Sequence, residues 1–148
     1  MADTLKYGNI RVARVCAFWE NLSPATLASL ASVYHDDTLF SDPFNNLHGA
    51  AALHTLLTRM FERLHEPRFV IVEVAPQEHG AFLVWDFHYR LHDWQPTRTR
   101  LIHGVSHVRF GADGRVVSHR DYWDAASQVY EQLPLLGGVL RWLKHRIG

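Results

Sequence analysis

The chain has a single cysteine, Cys16, so no disulfide can form within it. Cys16 falls in a helical pattern, where a buried thiol packs as a small apolar side chain rather than serving as a nucleophile. Neither sign of charge is in excess: fifteen basic side chains balance fifteen acidic ones, which removes the electrostatic signature of a nucleic-acid or acidic-partner binder. No apolar run approaches the roughly 18 residues of a membrane span, and the leading MADTLKYGNIRVARV lacks the charged-then-apolar order of a signal peptide. A cytoplasmic protein with no membrane span is therefore expected. Internal repeats and low-complexity stretches are also missing, so 1–148 is expected to fold as one domain.

Apolar material is plentiful. Hydrophobic residues make up 47% of the chain and include five Trp, five Tyr and eight Phe, enough to build one sizeable core. Helical spacing opens the chain: Val12, Val15, Cys16, Trp19 and Leu22 share a face. Ser23-Pro24 then reads as a helix start, followed by Leu27, Leu30, Ala31 and Tyr34 at i, i+3, i+4 and i+7. After His35-Asp36-Asp37 the pattern predicts a short strand, Thr38 to Ser41, ending at Asp42-Pro43. PFNNLHG reads as a turn-rich loop, and Leu53, Leu56, Leu57, Met60, Phe61 and Leu64 predict a third helix that Pro67 ends.

Strand patterns follow. Arg68 to Ala75 and Ala81 to Trp94 read as strands, and in the second Leu83, Trp85, Phe87, Tyr89 and Leu91 alternate with polar residues. LIHGVSHVRFGADGRVVSHRDYWD, from Leu101 to Asp124, adds two strands around a Gly-Ala-Asp-Gly turn. Val117, His119, Asp121 and Trp123 fall on one face of the last strand, a mixture that suits a pocket wall better than a core or a surface. With a two-residue tip at Gln95-Pro96, Trp85 pairs with Ser106 and Phe87 with Gly104; with Gly111–Gly114 as the next turn, Ser106 pairs with His119 and Gly104 with Asp121. Gly104 would then leave room beside the Asp121 carboxylate. Slipping either register by two keeps the grouping.

Helical pattern returns from Ala125 to Leu133, breaks at Pro134, and resumes with Leu136, Val139, Leu140, Leu143 and Ile147 opposite Arg141, Lys144 and Arg146. Within this extension, 125–148, the segment GGVLRWLKHRIG is expected to pack over the cone mouth or onto a second subunit, with a membrane surface, suited by its basic face and Trp142, as the lesser alternative. The eleven histidines do not assemble an evident metal site. His88 and His92, like His103 and His107, stand about 13 Å apart along a strand. His88 beside His103, with Asp86 near, falls on the face opposite the pocket. No metal or cofactor is expected.

The order helix, helix, short strand, helix, long strands resembles the nuclear transport factor 2-like superfamily, which includes steroid delta-isomerases and SnoaL-like polyketide cyclases. Tyr34 to Gly49, YHDDTLFSDPFNNLHG, is similar to the isomerase pattern of a tyrosine, paired acids and Asp-Pro-Phe, and Val108 to Asp124 resembles the closing hairpin. The resemblance implies an α+β cone: a strongly curved antiparallel sheet packed against three N-terminal helices, usually paired as a homodimer. It maps the isomerases' general base onto Asp42 and the cyclases' acid/base aspartate near Asp121. Where the isomerases carry oxyanion donors, Phe18 and Ser106 stand.

Two functions are thus expected. One is a cofactor-free proton-transfer enzyme (isomerase, cyclase, dehydratase or epoxide hydrolase) acting on a small apolar molecule, with Asp121, Asp42 and His119 catalytic. The other is a non-catalytic binding or assembly module using the same cone. The ligand-lining residues expected for both are Trp19, Phe18, Phe61, Trp85, Phe87, Tyr89, Gly104, Ser106 and Trp123.

Overall fold

The computed structural model describes residues 7–130 and 136–147. Helix α1 (Ile10–Glu20) starts where the Asn9 side chain accepts the Arg11 amide, 2.8 Å away, and it buries Val12, Val15, Cys16 and Trp19. After a turn of 3-10 helix (Leu27–Ser29) comes the four-residue α2 (Leu30–Val33). The chain then straightens into β1 (Tyr34–Ser41), β2 (Asn46–His48) and α3 (Ala50–Arg63). Four long strands follow: β3 (Leu64–Gln77), β4 (Gly80–Leu91), β5 (Arg100–Phe110) and β6 (Val116–Tyr122). The short α4 (Ala125–Gln128) and α5 (Leu136–Ile147) come last. The expected helix to Leu133 therefore stops at Gln128, and Leu133 and the Pro134 break lie outside the described residues.

The six strands form one curved, unclosed sheet in the order β2-β1-β6-β5-β4-β3, with α1 and α3 packed on its inner face. The architecture is the expected α+β cone. Every pairing is antiparallel except β1 with β6, which is parallel and brings the first strand beside the last. The core spans both layers, from Val12, Val15 and Leu53 on the helices to Leu83, Val108 and Val116 on the sheet.

Several elements depart from the sequence reading for identifiable reasons. Tyr34 suited the end of a helix by spacing, yet it opens β1. Gly49 starts α3 with φ of 98°, its amide bonded to the Thr38 carbonyl at 2.7 Å, a left-handed entry that glycine makes cheaply. Pro67 does not precede β3 but lies inside it, at a bulge between His65 and Arg68 with Glu66 at φ of 48°. A proline is tolerated there because β3 is the edge of the sheet.

The hairpin registers also shift. The β4–β5 connection is the eight-residue stretch 92–99 rather than a two-residue tip, so Leu83 pairs with Ser106, Trp85 with Gly104 and Phe87 with Ile102. In β5–β6, Ser106 pairs with Asp121 and Val108 with His119. Both slips are by two residues, which keeps each side chain on its expected face. An irregularity near the start of β6 does change one assignment: Val116 is buried, and Val117 is only partly so. His88 faces Leu101, so the His88–His103 pair does not form; His103 Nδ1 instead lies 2.6 Å from Asp86 Oδ1 on the outer face. Among the described residues no three His, Cys, Asp or Glu side chains come together to hold a metal ion.

On α5, Leu136, Val139, Trp142, Leu143 and Ile147 are all exposed. No helix among the described residues is long and apolar enough to cross a membrane.

Candidate functional site

Between the helices and the inner face of the sheet lies a cavity of about 290 Å³, near the lower bound of small-molecule sites. Strand β4 supplies Trp85, Phe87 and Tyr89, the residue that follows β6 is Trp123, α1 supplies Trp19, and Asp42 and Asp121 are its two acidic lining residues. A second, smaller space of about 10 Å³, enough for one water molecule, shares Trp19, Phe69, Trp85 and Asp121 with it and is bounded also by Ser106 and His119.

Of the residues named from sequence, Trp19, Asp42, Trp85, Phe87, Tyr89, Asp121 and Trp123 line the cavity, and Ser106 and His119 line the inner space. Phe18 and Phe61 line neither. Phe18 is buried against Trp19 and Tyr34, and the helix face turned to the cavity carries Leu56, Leu57 and Met60. Gly104 does not open room beside the carboxylate. A Cβ there would meet the Trp85 ring at 2.6 Å and the Trp123 Cβ at 3.1 Å, so its bare Cα seats tryptophan instead of a ligand.

Asp121 is the meeting point of two hydrogen-bond chains. From one side, the Trp19 indole N–H donates to the Tyr34 hydroxyl (2.8 Å), which lies 2.8 Å from His119 Nδ1, and His119 Nε2 lies 2.7 Å from Asp121 Oδ1. From the other, the Trp85 indole N–H donates to Ser106 Oγ (2.8 Å), and the Ser106 hydroxyl donates to the same Asp121 oxygen at 2.5 Å. Burial pushes the Tyr34 phenol well above its ordinary pKa; the Trp19 bond opposes this, and the negative charge of Asp121 adds to it. Tyr34 thus keeps its proton and, having accepted from Trp19, can give it only to His119 Nδ1. That assignment leaves the proton of a neutral imidazole on Nε2, pointing at Asp121.

His119 is 2% exposed and boxed by the rings of Trp19, Tyr34 and Phe40, at centroid distances of 5.5, 5.9 and 4.9 Å. The Asp121 side chain is 15% exposed, and among the described residues nothing bonds its Oδ2. One oxygen is therefore anchored and the other is available. Asp42 is different. Its Oδ1 accepts the amides of Phe44 and Asn45 (2.7 and 2.8 Å) and the Asn45 side chain (3.0 Å), which knits the turn after Pro43.

Sequence reasoning missed Tyr34 as part of this site, along with the lining rings Phe40, Phe44 and Phe69. Tyr34 carried a signal: a tyrosine on an apolar stripe must find a partner for its hydroxyl once buried.

A family model described as a SnoaL-like domain matches residues 15–119. The chain belongs to the SnoaL-like domain family. Solved structures of similar fold include the LEH-like epoxide hydrolase of M. tuberculosis, at 18% identity and a TM-score of 0.68 over 90% of this chain and 94% of that one. A putative SnoaL-like polyketide cyclase from Shewanella denitrificans OS-217 matches at 20% identity and 0.67, over 81% and 96%. A hypothetical protein with a ketosteroid isomerase-like fold from Catenulispora acidiphila matches at 13% identity and 0.67, over 81% and 89%. No curated protein matches in sequence. At these identities the neighbours establish the fold of this SnoaL-like chain, and its chemistry has to be argued from its own side chains.

Proposed function

We propose that this SnoaL-like protein is a cofactor-independent proton-transfer enzyme for a small, largely apolar molecule, with Asp121 as its acid/base. The observation that carries the reading is the double anchoring of Asp121 Oδ1 by Ser106 and His119, which leaves Oδ2 without a protein partner at the cavity wall. A carboxylate held by one oxygen can gain or lose a proton at the other without rearranging its bonds, and such preorganisation suits a shuttle. His119 and Ser106 position it; Tyr34 fixes the tautomer of His119.

Two donors on the cavity wall have no protein partner among the described residues, the Trp123 indole N–H and the Tyr89 hydroxyl, and both are available to a ligand oxygen. Asp42 lines the same cavity, but as a turn anchor with its carboxylate engaged it takes the lesser part. The epoxide hydrolase and polyketide cyclase among the neighbours are compatible with acid/base work in this fold.

One observation favours a non-catalytic binding role. At the positions where isomerases carry oxyanion donors, Phe18 is buried away from the cavity, and the Ser106 hydroxyl is committed to Asp121. A carbon-acid probe separates the two. Hydrogen–deuterium exchange at the α-carbon of 2-tetralone, followed by proton NMR, is expected to accelerate with the wild-type protein and to fall to the uncatalysed rate in Asp121→Asn, with 2-tetralone still bound. Equal rates in the two proteins reject Asp121 as the base. The outer face of the sheet, where Val72, Leu101 and Tyr122 are exposed, is where the expected homodimer would form.

A further inference from the structure

Eight of the sixteen residues lining the cavity are aromatic and two are aspartates; none is Lys, Arg or His. Aromatic walls accept any apolar body, so the carboxylates discriminate. A neutral ligand gains little from Asp42 and an anion is repelled, whereas a cation is drawn to both the carboxylates and the ring faces.

The rings gather near Asp42. Phe44 is 52% exposed, and its ring meets Trp123 at 5.3 Å and 79° and Tyr130 at 5.6 Å and 58°. Phe44 and Trp123 line the cavity together with Asp42, whose Oδ2 accepts only the Asn45 amide among the described residues, at 3.0 Å. Two arginines on neighbouring strands stand over aromatic rings outside the cavity lining, although Arg120 borders the adjoining surface groove with Asp42 and Asp121, and the Arg100 charge acts on Tyr89. Arg120 lies over the Tyr122 ring, 5.2 Å from its centroid, on the outer face of β6. Arg100 stands four residues before Gly104 on β5, roughly 13 Å along the strand, with its guanidinium over Trp94 at 4.5 Å.

We infer that the cavity selects a ligand with a tertiary or quaternary ammonium head, seated against the paired rings of Phe44 and Trp123 beside Asp42, on an apolar body that reaches Asp121. The inference rests on the proposed use of this cavity as the ligand site and is independent of whether Asp121 moves a proton. A trimethylammonium group suits an aromatic corner because its charge is spread over methyl groups that pack on rings, and its loss of water costs less than that of a primary ammonium.

Phenyltrimethylammonium and tert-butylbenzene share a shape and differ in charge. Titrated into the full-length protein and followed by quenching of tryptophan fluorescence, the cation is expected to bind roughly tenfold tighter or more. Asp42→Asn, which keeps an acceptor for the turn, and Phe44→Leu are each expected to shrink that ratio. Phe44→Leu removes wall that both molecules touch, so the charge-dependent part is read from the ratio alone, and an unchanged circular dichroism spectrum reports intact folding of both variants. Equal or tighter binding of tert-butylbenzene overturns the inference and leaves the proton-transfer reading standing. A ratio unchanged in both variants overturns it as well. Binding of neither molecule overturns both readings, since it removes the cavity as a ligand site.

Discussion

Tyr34→Phe removes one oxygen from a residue that is 0% exposed, and the consequence can be worked out from its two partners. The Trp19 indole N–H loses its acceptor and His119 Nδ1 loses its donor; both residues are buried, at 7% and 2% exposed. An unsatisfied buried polar group costs about 1–3 kcal/mol, so the pair should cost about 2–6 kcal/mol. That is a large part of the about 5–15 kcal/mol by which a domain is stable. In a chain of this length it corresponds to a fall in Tm of roughly 5–15 °C. Urea unfolding followed by circular dichroism should show the midpoint falling with little change in slope. Tyr122→Phe is the control, because Tyr122 is 51% exposed; it should stay within about 0.5 kcal/mol of wild type. A Tyr34→Phe loss no larger than the control would refute the relay as a buried, load-sharing network. Nitrogen NMR of His119 checks the same geometry without a mutation: Nε2 should carry the proton, and a proton on Nδ1 contradicts the derived direction of the chain.

Two further outcomes follow from the same structure. Gly104→Ala would place a methyl 2.6 Å from the Trp85 ring, whose N–H is held 2.8 Å from Ser106, so the ring must move. The cost should be about 1–3 kcal/mol, with a shifted tryptophan emission spectrum; an unchanged spectrum and stability would mean that the ring has room to spare. The second is alkaline sensitivity. Burial raises the Tyr34 phenol far above the value of about 10 it has in the unfolded chain. Its contribution is fully present below pH about 10 and is lost progressively as pH rises from there toward the raised folded value. Burial raises Tyr89 too, with the nearby Arg100 charge opposing, and adds to the same loss. The urea midpoint should therefore fall above about pH 10, and less steeply in Tyr34→Phe; identical pH profiles would remove Tyr34 from the account.

The sequence made some of this visible and hid the rest for physical reasons. Side chains alternate along a strand with period two, so Trp85, Phe87, Ser106, His119 and Asp121 reached their expected face although both registers slipped. The neighbours of Gly104 did not survive the slip, because a shift of two exchanges one inward residue for the next. Asp42 before Pro43 was legible as the end of a strand, and its hydrogen bonds are those of the turn that follows. The short β2 lay inside what reads as a turn-rich loop; three residues are too few for a period to show. Tyr34 sat at helical spacing from Leu27, and nothing in the sequence placed it beside a histidine 85 positions away. That contact depends on the parallel alignment of β1 with β6, a tertiary choice that no local pattern encodes.

The same alignment governs when the site comes into being. Antiparallel hairpins such as β3–β4, joined by two residues, can close early, because a short loop costs little entropy. The β1–β6 seam has to wait for nearly the whole intervening chain, and pairings of such long span are the slow ones. Asp121 receives its Ser106 and His119 bonds within the β5–β6 hairpin, but Tyr34 can reach His119 only after that seam closes, so a folding intermediate holding the β3–β4–β5–β6 meander would have the tryptophan wall and an Asp121 whose histidine is not yet oriented. Native-state opening that peels β1 from β6 would, by the same geometry, release His119 from Tyr34 and take Phe40 out of the cavity wall in one step.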